Sequence, residues 1–382
     1  MSVICGVEEF CANLDKYVGK KRLGLITNPS GVDRNLTSTV DRLYATGQLS
    51  ALFGPEHGVR GVMQAGEKVD SYHDPKTNLP VYSLYGETRR PTPEMLSGIE
   101  AIVFDIQDVG CRFYTYIYTL LYAMEAAAEH GIQMVVLDRP NPLGGRVVEG
   151  NILEPEFTSF VGYPIPVRYG LTIGELARYF NTVYDIKAEL TVVPIQGWQR
   201  HLYGDELGLP WVPPSPNIPK METALIYAGT CFVEGTNLSE GRGTALPFEV
   251  VGAPFINSEE LAAALNGLKL PGAQFRPTAF TPTFSKNVGE LCQGVQIHVV
   301  DRNTFRPVET GLLVVAEIAR LYPEFQFLIP QEQGRHYFFD LLAGTDQVRK
   351  IIEDGKPLTD LFAQWEREQR EFRRQCEPFL LY

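Results

Sequence analysis

Four short apolar segments, each running into a polar turn, constrain the fold of this chain most strongly. They lie at residues 22–28, 49–53, 101–108 and 134–138. The first of them is apolar enough to be buried on both faces, as parallel strands are. Helical patterns separate them, the clearest at residues 115–129. This alternation predicts an α/β fold with a Rossmann-like parallel sheet and right-handed crossovers.

The length of the chain favours two domains, because 382 residues exceed what one simple core holds. We predict a Rossmann-like domain over residues 1–150 and a smaller mixed α/β domain over residues 151–382. In the second domain, the proline-rich stretch at 209–219 is typical of a rigid wall. A glycine-rich polar loop follows at 231–244, and residues 338–382 are expected to be mostly one long helix.

Composition and motifs exclude several classes of protein. A formal net charge of −12 argues against a nucleic-acid partner, since there is no basic stripe to neutralise phosphates. The six cysteines and six histidines show no metal-ligand spacing, so no metal is expected. The first strand leads into NPSG where a dinucleotide site has GxGxxG, so NAD is not favoured and we expect no cofactor.

Targeting signals are also missing from the sequence. No apolar run approaches the roughly 18 residues of a membrane span. The first residues lack the basic and apolar regions of a signal peptide. We therefore expect a cytoplasmic location for the chain as given, or a periplasmic or secreted one if a leader precedes it. The sequence does not indicate an oligomeric state.

Polar side chains follow every one of the four predicted strands. They are Asn28; Glu56, His57 and Arg60; Asp105, Gln107, Asp108, Arg112 and Tyr114; and Asp138, Arg139 and Asn141. Because the carboxyl ends of parallel strands meet at one edge of the sheet, we expect a site there. The loop at 231–244 adds Glu234, Asn237, Glu240 and Arg242, which can close over the first domain.

Glu56 is the sharpest catalytic candidate. Pro55 and the glycines on either side cannot extend the strand, so Glu56 is expected on a rigid turn. Apolar neighbours favour the protonated form of a carboxyl group, which suits a general acid. Purely structural roles stay open: Glu56 can pair with Arg60, and Arg112 can neutralise Asp108. In the same way, Asp138, Arg139 and Asn141 can simply brace their loop.

Seven longer motifs carry a family resemblance across nearly the whole chain. In order they are GLITNPSGV, LFGPEHGVRG, VYSLYGETRRPTPEML, VFDIQDVGCRFYTYIYTL, LDRPNPLGG, PSPNIP and VEGTNLSEGRGTALPFEVVGAPFI. The chain resembles the exo-β-N-acetylmuramidase family of the NamZ type. The resemblance implies a glycoside hydrolase that removes N-acetylmuramic acid from the non-reducing end of peptidoglycan fragments, for cell wall turnover or muropeptide recycling. It also implies a cleft between two α/β domains, with Glu56 of the GPEHG motif as catalytic residue and His57 beside it.

Glycoside hydrolysis usually needs a second carboxylate, for which Asp105, Asp108, Glu234 and Glu240 are candidates, unless the acetamido group of the sugar assists. The lactyl carboxylate of muramic acid requires a cation, and Arg60, Arg112 and Arg242 are candidates for that contact. Two alternatives stay open. One is a hydrolase for another amino sugar or a sugar phosphate. The other is a non-catalytic muropeptide-binding or sensing protein, which would not need Glu56.

Overall fold

The computed structural model describes residues 3–56, 58–60, 71–86, 88–160, 162–330, 332 and 335–382. The strands in these residues are β1 Leu23–Thr27, β2 Leu49–Gly54, β3 Tyr72–His73, β4 Pro80–Ser83, β5 Ala101–Asp105, β6 Gln133–Leu137, β7 Glu149–Ile152, β8 Pro166–Arg168, β9 Leu190–Val193, β10 Val250–Ala253, β11 Ala273–Phe280 and β12 Cys292–Val299. The helices are α1 Gly6–Ala12, α2 Leu14–Tyr17, α3 Thr39–Tyr44, α4 Tyr116–His130, α5 Ile173–Val183, α6 Met221–Thr230, α7 Ser258–Gly267, α8 Pro307–Leu321, α9 Phe338–Ala343, α10 Gln347–Glu353 and α11 Thr359–Cys376.

We call the elements from α1 to β9 the first part of the fold and those from α6 to α11 the second part. A mainly parallel sheet forms the centre of the first part, in the order β3-β4-β2-β1-β5-β6-β9. Every residue of β1, β5 and β6 is buried, which explains why the sequence shows these strands as unbroken apolar runs. Only β3 runs antiparallel within this sheet, beside β4 at the edge. The predicted α/β class with a large parallel sheet is confirmed. The strand expected at 101–108 ends at Asp105, and residues 106–108 already belong to its exit loop.

Alternate residues of the central strands face opposite sides of the sheet, as the pleat requires. Val103 and Val135 pack in one apolar cluster with Phe10 of α1. Phe104 and Val136 belong to a second, larger cluster that includes α4. Helices therefore cover both faces, and only the ends of the strands are left to carry polar loops.

The second part contains a three-stranded antiparallel sheet, β10-β12-β11, packed against α7 and α6. The tail expected as mostly one long helix consists of α9, α10 and α11. Gly344, with φ of 67°, ends α9, and Gly355, with φ of 65°, follows α10, because a left-handed residue stops a helix. The domain division at residue 150 stays a prediction; β9, beyond it, pairs with β6 of the large sheet. No helix in the described ranges is both long and apolar enough to cross a membrane.

Candidate active site

A cavity of about 660 Å³ opens above the carboxyl ends of β2, β4 and β5. This volume lies in the range of pockets that hold small molecules. The first part contributes Glu56, Leu84, Tyr85, Arg89, Phe113, Tyr114, Thr115, Tyr116 and residues further along α4. Ser215, Asn217 and Ile218 of the proline-rich stretch form another side, and the opposite wall includes Tyr227, Cys231, Glu234, Arg242, Phe248, Phe284 and Ser285. The cavity is thus lined by both parts of the chain.

Glu56 is held at the cavity by hydroxyl groups. The turn after β2 closes when the Gly58 amide donates to the carbonyl of Pro55 at 2.9 Å, with Gly58 in the left-handed region at φ of 72°. Thr115, at the start of α4, donates its hydroxyl to the Glu56 carboxylate at 3.2 Å. Burial raises the pKa of Tyr85 to about 12, and so do the nearby charge of Glu56 and its hydrogen bond with the Tyr85 hydroxyl.

Hydroxyl partners matter chemically because a hydroxyl can donate to a carboxylate and accept from a carboxylic acid. Glu56 can therefore keep both contacts whether or not it holds a proton. Tyr116 adds a bond to the Glu56 main chain, donating to its carbonyl at 3.4 Å and to that of Pro214 at 2.8 Å. His57, which the sequence places beside Glu56, lies outside the described residues.

Glu234 reaches the cavity from the opposite wall, on a short 3₁₀ helix, Cys231–Gly235, that follows α6. Its carboxylate lies 3.0 Å from Nη2 of Arg242 and its side chain is 22% exposed. Burial raises the pKa of Glu234, and the Arg242 guanidinium opposes this effect. This carboxyl group therefore has a perturbed proton affinity in a cavity, a feature common at catalytic sites.

Arg242 is held on three sides. Its Nε lies 3.3 Å from Glu240, and its guanidinium stands 4.9 Å from the centre of the Phe248 ring. Lys286 lies 3.0 Å from the other oxygen of Glu240. Burial lowers the pKa of Arg242, but the carboxylates of Glu234 and Glu240 outweigh it and raise that pKa overall. Glu234, Glu240, Arg242 and Lys286 thus form a formally neutral cluster, of which only Glu234 and Arg242 line the cavity.

Among the residues singled out from the sequence, the structure brings Glu56, Tyr114, Glu234 and Arg242 together around this cavity. Tyr114 is 8% exposed, and its hydroxyl has no hydrogen bond of normal geometry within the described chain. Burial raises the pKa of Tyr114 well above its usual value. Tyr114 therefore lines the cavity as a neutral side chain whose hydroxyl is buried.

Asp105 and Arg139 bind each other and do not line the cavity. Arg139 donates from Nε and Nη2 to the two carboxylate oxygens of Asp105 at 2.6 and 2.9 Å, and from Nη2 to the carbonyl of Val32 at 2.8 Å. Thr39 donates its hydroxyl to the same carboxylate. Both charged side chains are buried. The pair ties the ends of β5 and β6 to the loop after β1.

Asp108 and Asp138 are buried and bind groups of their own surroundings. Asp108 accepts from the Tyr169 hydroxyl and from the Gly110 amide, and burial raises its pKa to about 6. Asp138 accepts from the Gly174 amide at the start of α5 at 2.7 Å and from the Tyr382 hydroxyl at 2.7 Å. Burial raises the pKa of Asp138 to about 7. Neither carboxyl lines the cavity.

Arg112 is buried and surrounded by oxygen atoms of the main chain. It donates to the carbonyls of Asn151 and Ile165 at 2.8 and 2.9 Å, and to those of Leu342 and Ala343 at 3.3 and 2.9 Å. Burial lowers its pKa to about 10. The guanidinium therefore joins the β7–β8 hairpin to α9, and Arg112 does not line the cavity.

The remaining predicted residues are also engaged elsewhere. Arg60 makes a bidentate pair with Asp74 at 2.9 Å. The others bind main-chain groups. Asn28 binds the Pro214 carbonyl, and Gln107 binds the carbonyls of Asp108 and Pro140. Asn141 binds the Leu171 carbonyl and the Leu143 amide, and Asn237 binds the Glu324 carbonyl and the Gln326 amide. These residues shape the loops under and around the cavity without lining it.

Several cavity residues were not among the sequence candidates. Tyr85, Arg89, Thr115 and Asn217 line it, and all four lie in or beside motifs that carry the family resemblance. Tyr85 and Arg89 belong to the motif VYSLYGETRRPTPEML, for which the sequence alone predicts no functional role. No group of three or more side chains suited to a metal occurs in the described ranges.

Comparison with known proteins identifies the family. Residues 23–222 match the model described as exo-beta-N-acetylmuramidase NamZ, N-terminal, and residues 225–382 match the corresponding C-terminal model. The chain belongs to the NamZ family.

Three similar proteins match this chain over almost its whole length. A protein named peptidoglycan beta-N-acetylmuramidase NamZ, from Bacillus subtilis (strain 168), is 53% identical over 381 residues, which is 99% of this chain and 91% of that protein. Two crystal structures of DUF1343 family proteins from Bacteroides fragilis NCTC 9343 are also similar. One has a TM-score of 0.91 at 41% identity, and the other has 0.79 at 31%; each covers 100% of this chain and 99% of its own.

The cavity lies where the two NamZ regions meet. Glu56, Tyr114 and Asn217 come from the N-terminal match, whereas Glu234 and Arg242 come from the C-terminal match. A site that uses both Glu56 and Glu234 needs both regions, because each region supplies only one of these two carboxylates.

Proposed function

We propose that this NamZ family protein is an exo-acting β-N-acetylmuramidase that releases N-acetylmuramic acid from the non-reducing end of peptidoglycan fragments. The family match and the Bacillus subtilis relative, which bears the name of this activity, support the reaction. The observation that carries the site is the cavity with Glu56 on one wall and Glu234 on the other. A binding or sensing protein would need the cavity but no carboxyl group on each wall.

In this proposal Glu56 is the general acid. It donates a proton to the glycosidic oxygen as the bond to the leaving sugar breaks. The hydroxyls of Thr115 and Tyr85 hold the carboxyl group before and after transfer, since each hydroxyl can donate or accept. A fixed position matters here, because proton transfer requires hydrogen-bond distance to the leaving oxygen.

Glu234 is the second carboxyl group in this proposal. Arg242, at 3.0 Å, stabilises its charged form, which can activate water or stabilise the positive charge that develops on the sugar. Glu240 is turned to Arg242 and Lys286, and Asp105 to Arg139, so both are less suited. The acetamido group of the sugar is the remaining candidate for this step.

Aromatic rings give the cavity its affinity for a sugar. Tyr114 and Tyr227 meet edge to face at 6.0 Å, and Tyr227 and Phe248 meet at 4.7 Å between ring centres. Such rings present apolar surface to the C–H face of a pyranose, while Asn217 supplies hydrogen bonds. This mixture of groups fits an amino sugar.

The test uses glycosides of N-acetylmuramic acid with a good and a poor leaving group, together with N-acetylglucosamine analogues. Wild type is compared with Glu56→Gln, Glu234→Gln and a control, Glu156→Gln, whose side chain is exposed and outside the cavity. We expect Glu56→Gln to lose about 10²–10⁴-fold in kcat on the poor leaving group. It should lose much less on the good one, which departs without protonation.

Glu234→Gln should lose activity on both leaving groups, because its step does not depend on protonation of the aglycone. Equal losses for Glu56→Gln on both substrates would contradict its role as acid. Binding of muropeptide without turnover by the wild type would favour the sensor. Equal turnover of both sugars by the wild type would favour a hydrolase with broader amino-sugar specificity.

A further inference from the structure

The proposed substrate is an anion, and the cavity offers two cations to meet it. N-acetylmuramic acid differs from N-acetylglucosamine by a lactyl ether that carries a carboxylate. Of the described residues that line the cavity, Arg89 and Arg242 are the ones with a permanent positive charge. The question is which of them is available for a carboxylate of the substrate.

Arg242 is already committed. It contacts Glu234 at 3.0 Å and Glu240 at 3.3 Å, and Phe248 covers its face. Turning it towards a substrate carboxylate would take a counter-ion from two partly or fully buried carboxylates. A guanidinium that already serves two acids gains little from a third.

Arg89 is in a different state. Its side chain is exposed at the cavity and makes no ion pair with a described carboxylate. The next residue, Arg90, lies 2.5 Å from Glu129 and does not line the cavity. Arg89 also lies near enough to Tyr85 for its charge to lower that pKa, which places it on the same side as Glu56. One arginine of the pair is therefore structural, and its neighbour faces the cavity.

We propose that Arg89 binds the lactyl carboxylate of the terminal N-acetylmuramic acid and so selects it over N-acetylglucosamine. The inference rests on the proposed function and adds its specificity residue. A guanidinium matches a carboxylate with two parallel hydrogen bonds. When the ligand lacks the carboxylate, an exposed Arg89 stays hydrated, so selectivity arises from the ion pair that only the muramic sugar can form.

Three variants test this inference: Arg89→Met, Arg89→Lys and the matched control Arg90→Met, which removes the same charge one residue away. The substrates are glycosides of N-acetylmuramic acid, of its lactyl methylamide and of N-acetylglucosamine. We expect Arg89→Met to lose at least about tenfold in kcat/KM on the muramic acid glycoside, the low end for a charged hydrogen bond. The loss should lie mainly in KM, and the two uncharged substrates should be unaffected.

Arg89→Lys should fall between wild type and Arg89→Met, because it keeps the charge and loses the planar fork. Arg90→Met should keep the wild-type preference among the three substrates. Similar losses for Arg89→Met on all three substrates would overturn the inference, since Arg89 would then hold the loop and not the carboxylate. No loss on the muramic acid glycoside would overturn it as well.

Calorimetric binding of free N-acetylmuramic acid separates this inference from the proposed function. If the wild type binds this sugar at least tenfold more tightly than Arg89→Met does but hydrolyses no glycoside, Arg89 stands and the muramidase proposal fails. If the wild type hydrolyses the muramic glycoside and Arg89→Met binds the free sugar equally well, the muramidase stands and Arg89 fails.

Discussion

Replacing Arg139 by Met should destabilise the fold strongly while leaving the chemistry intact. The side chain makes two hydrogen bonds to Asp105, at 2.6 and 2.9 Å, and one to the Val32 carbonyl at 2.8 Å. Both members of the pair are buried, with side-chain exposures of 6% and 0%. Removing one member of such a pair leaves an uncompensated charge inside the protein, which costs about 3–5 kcal/mol.

Asp105→Asn should also be destabilising, because it leaves the Arg139 guanidinium buried without its counter-ion. The double variant removes both charges, so its loss should be smaller than the sum of the two single losses. Residues in one such network show interaction energies of about 0.5–3 kcal/mol, and a buried pair of this geometry should lie near the upper end. We therefore expect a large loss of stability in each single variant and losses that are not additive in the double variant.

The assay is urea unfolding followed by tryptophan fluorescence and by circular dichroism, since only coincident transitions allow conversion to free energy. Turnover of the muramic acid glycoside is measured in parallel, well below the melting temperature. Strict additivity of the two single variants would refute the coupling. A folded Asp105→Asn protein without turnover would return Asp105 to the list of catalytic groups.

Two further predictions concern buried charge. Burial raises the pKa of Asp138 to about 7, above an unfolded value of about 3.9, so the folded state retains this proton over a wider pH range. Stability should therefore fall as pH rises between these values, by up to about 1.4 kcal/mol per pH unit for this group. Asp138→Asn should flatten that slope in urea titrations from pH 4.5 to 7.5, and an unchanged slope would contradict the assignment. Arg242→Met should lower both the melting temperature and kcat/KM, because it leaves Glu234 and Glu240 with Lys286 alone. Adding Glu240→Gln to Arg242→Met should restore part of the melting temperature but not kcat/KM. If Arg242→Met alone were as stable as the wild type, the result would contradict the stabilising role of this charge cluster.

The sheet could be predicted from the sequence because its signal is local. Strands β1, β5 and β6 are buried along their whole length, so each appears as an uninterrupted apolar run. The turn that carries Glu56 was equally visible, since proline and glycine punctuate it. The breaks in the tail helix were missed, although Gly344 and Gly355 mark them, because the charged pattern continues across both.

The partners of the polar residues could not be predicted, because they depend on contacts between distant parts of the chain. Asp105 and Arg139 are 34 residues apart, and no local pattern indicates that they bind each other. Arg112 binds carbonyls of residues 151, 165, 342 and 343, which only the assembled fold brings together. No local pattern distinguishes Arg89 from Arg90, although Arg89 lines the cavity and Arg90 pairs with Glu129.

The partners of the charged side chains separate the residues that hold the frame from those proposed to act on the substrate. Asp105 and Arg139 pair with each other just beyond their strands, and neither lines the cavity. Glu56, on the turn beyond β2, lines the cavity and has hydroxyl partners that can either donate or accept. Arg89 lies on the same side of the cavity, where it is proposed to hold the lactyl carboxylate, so recognition of the sugar and protonation of its leaving oxygen would use side chains of one wall.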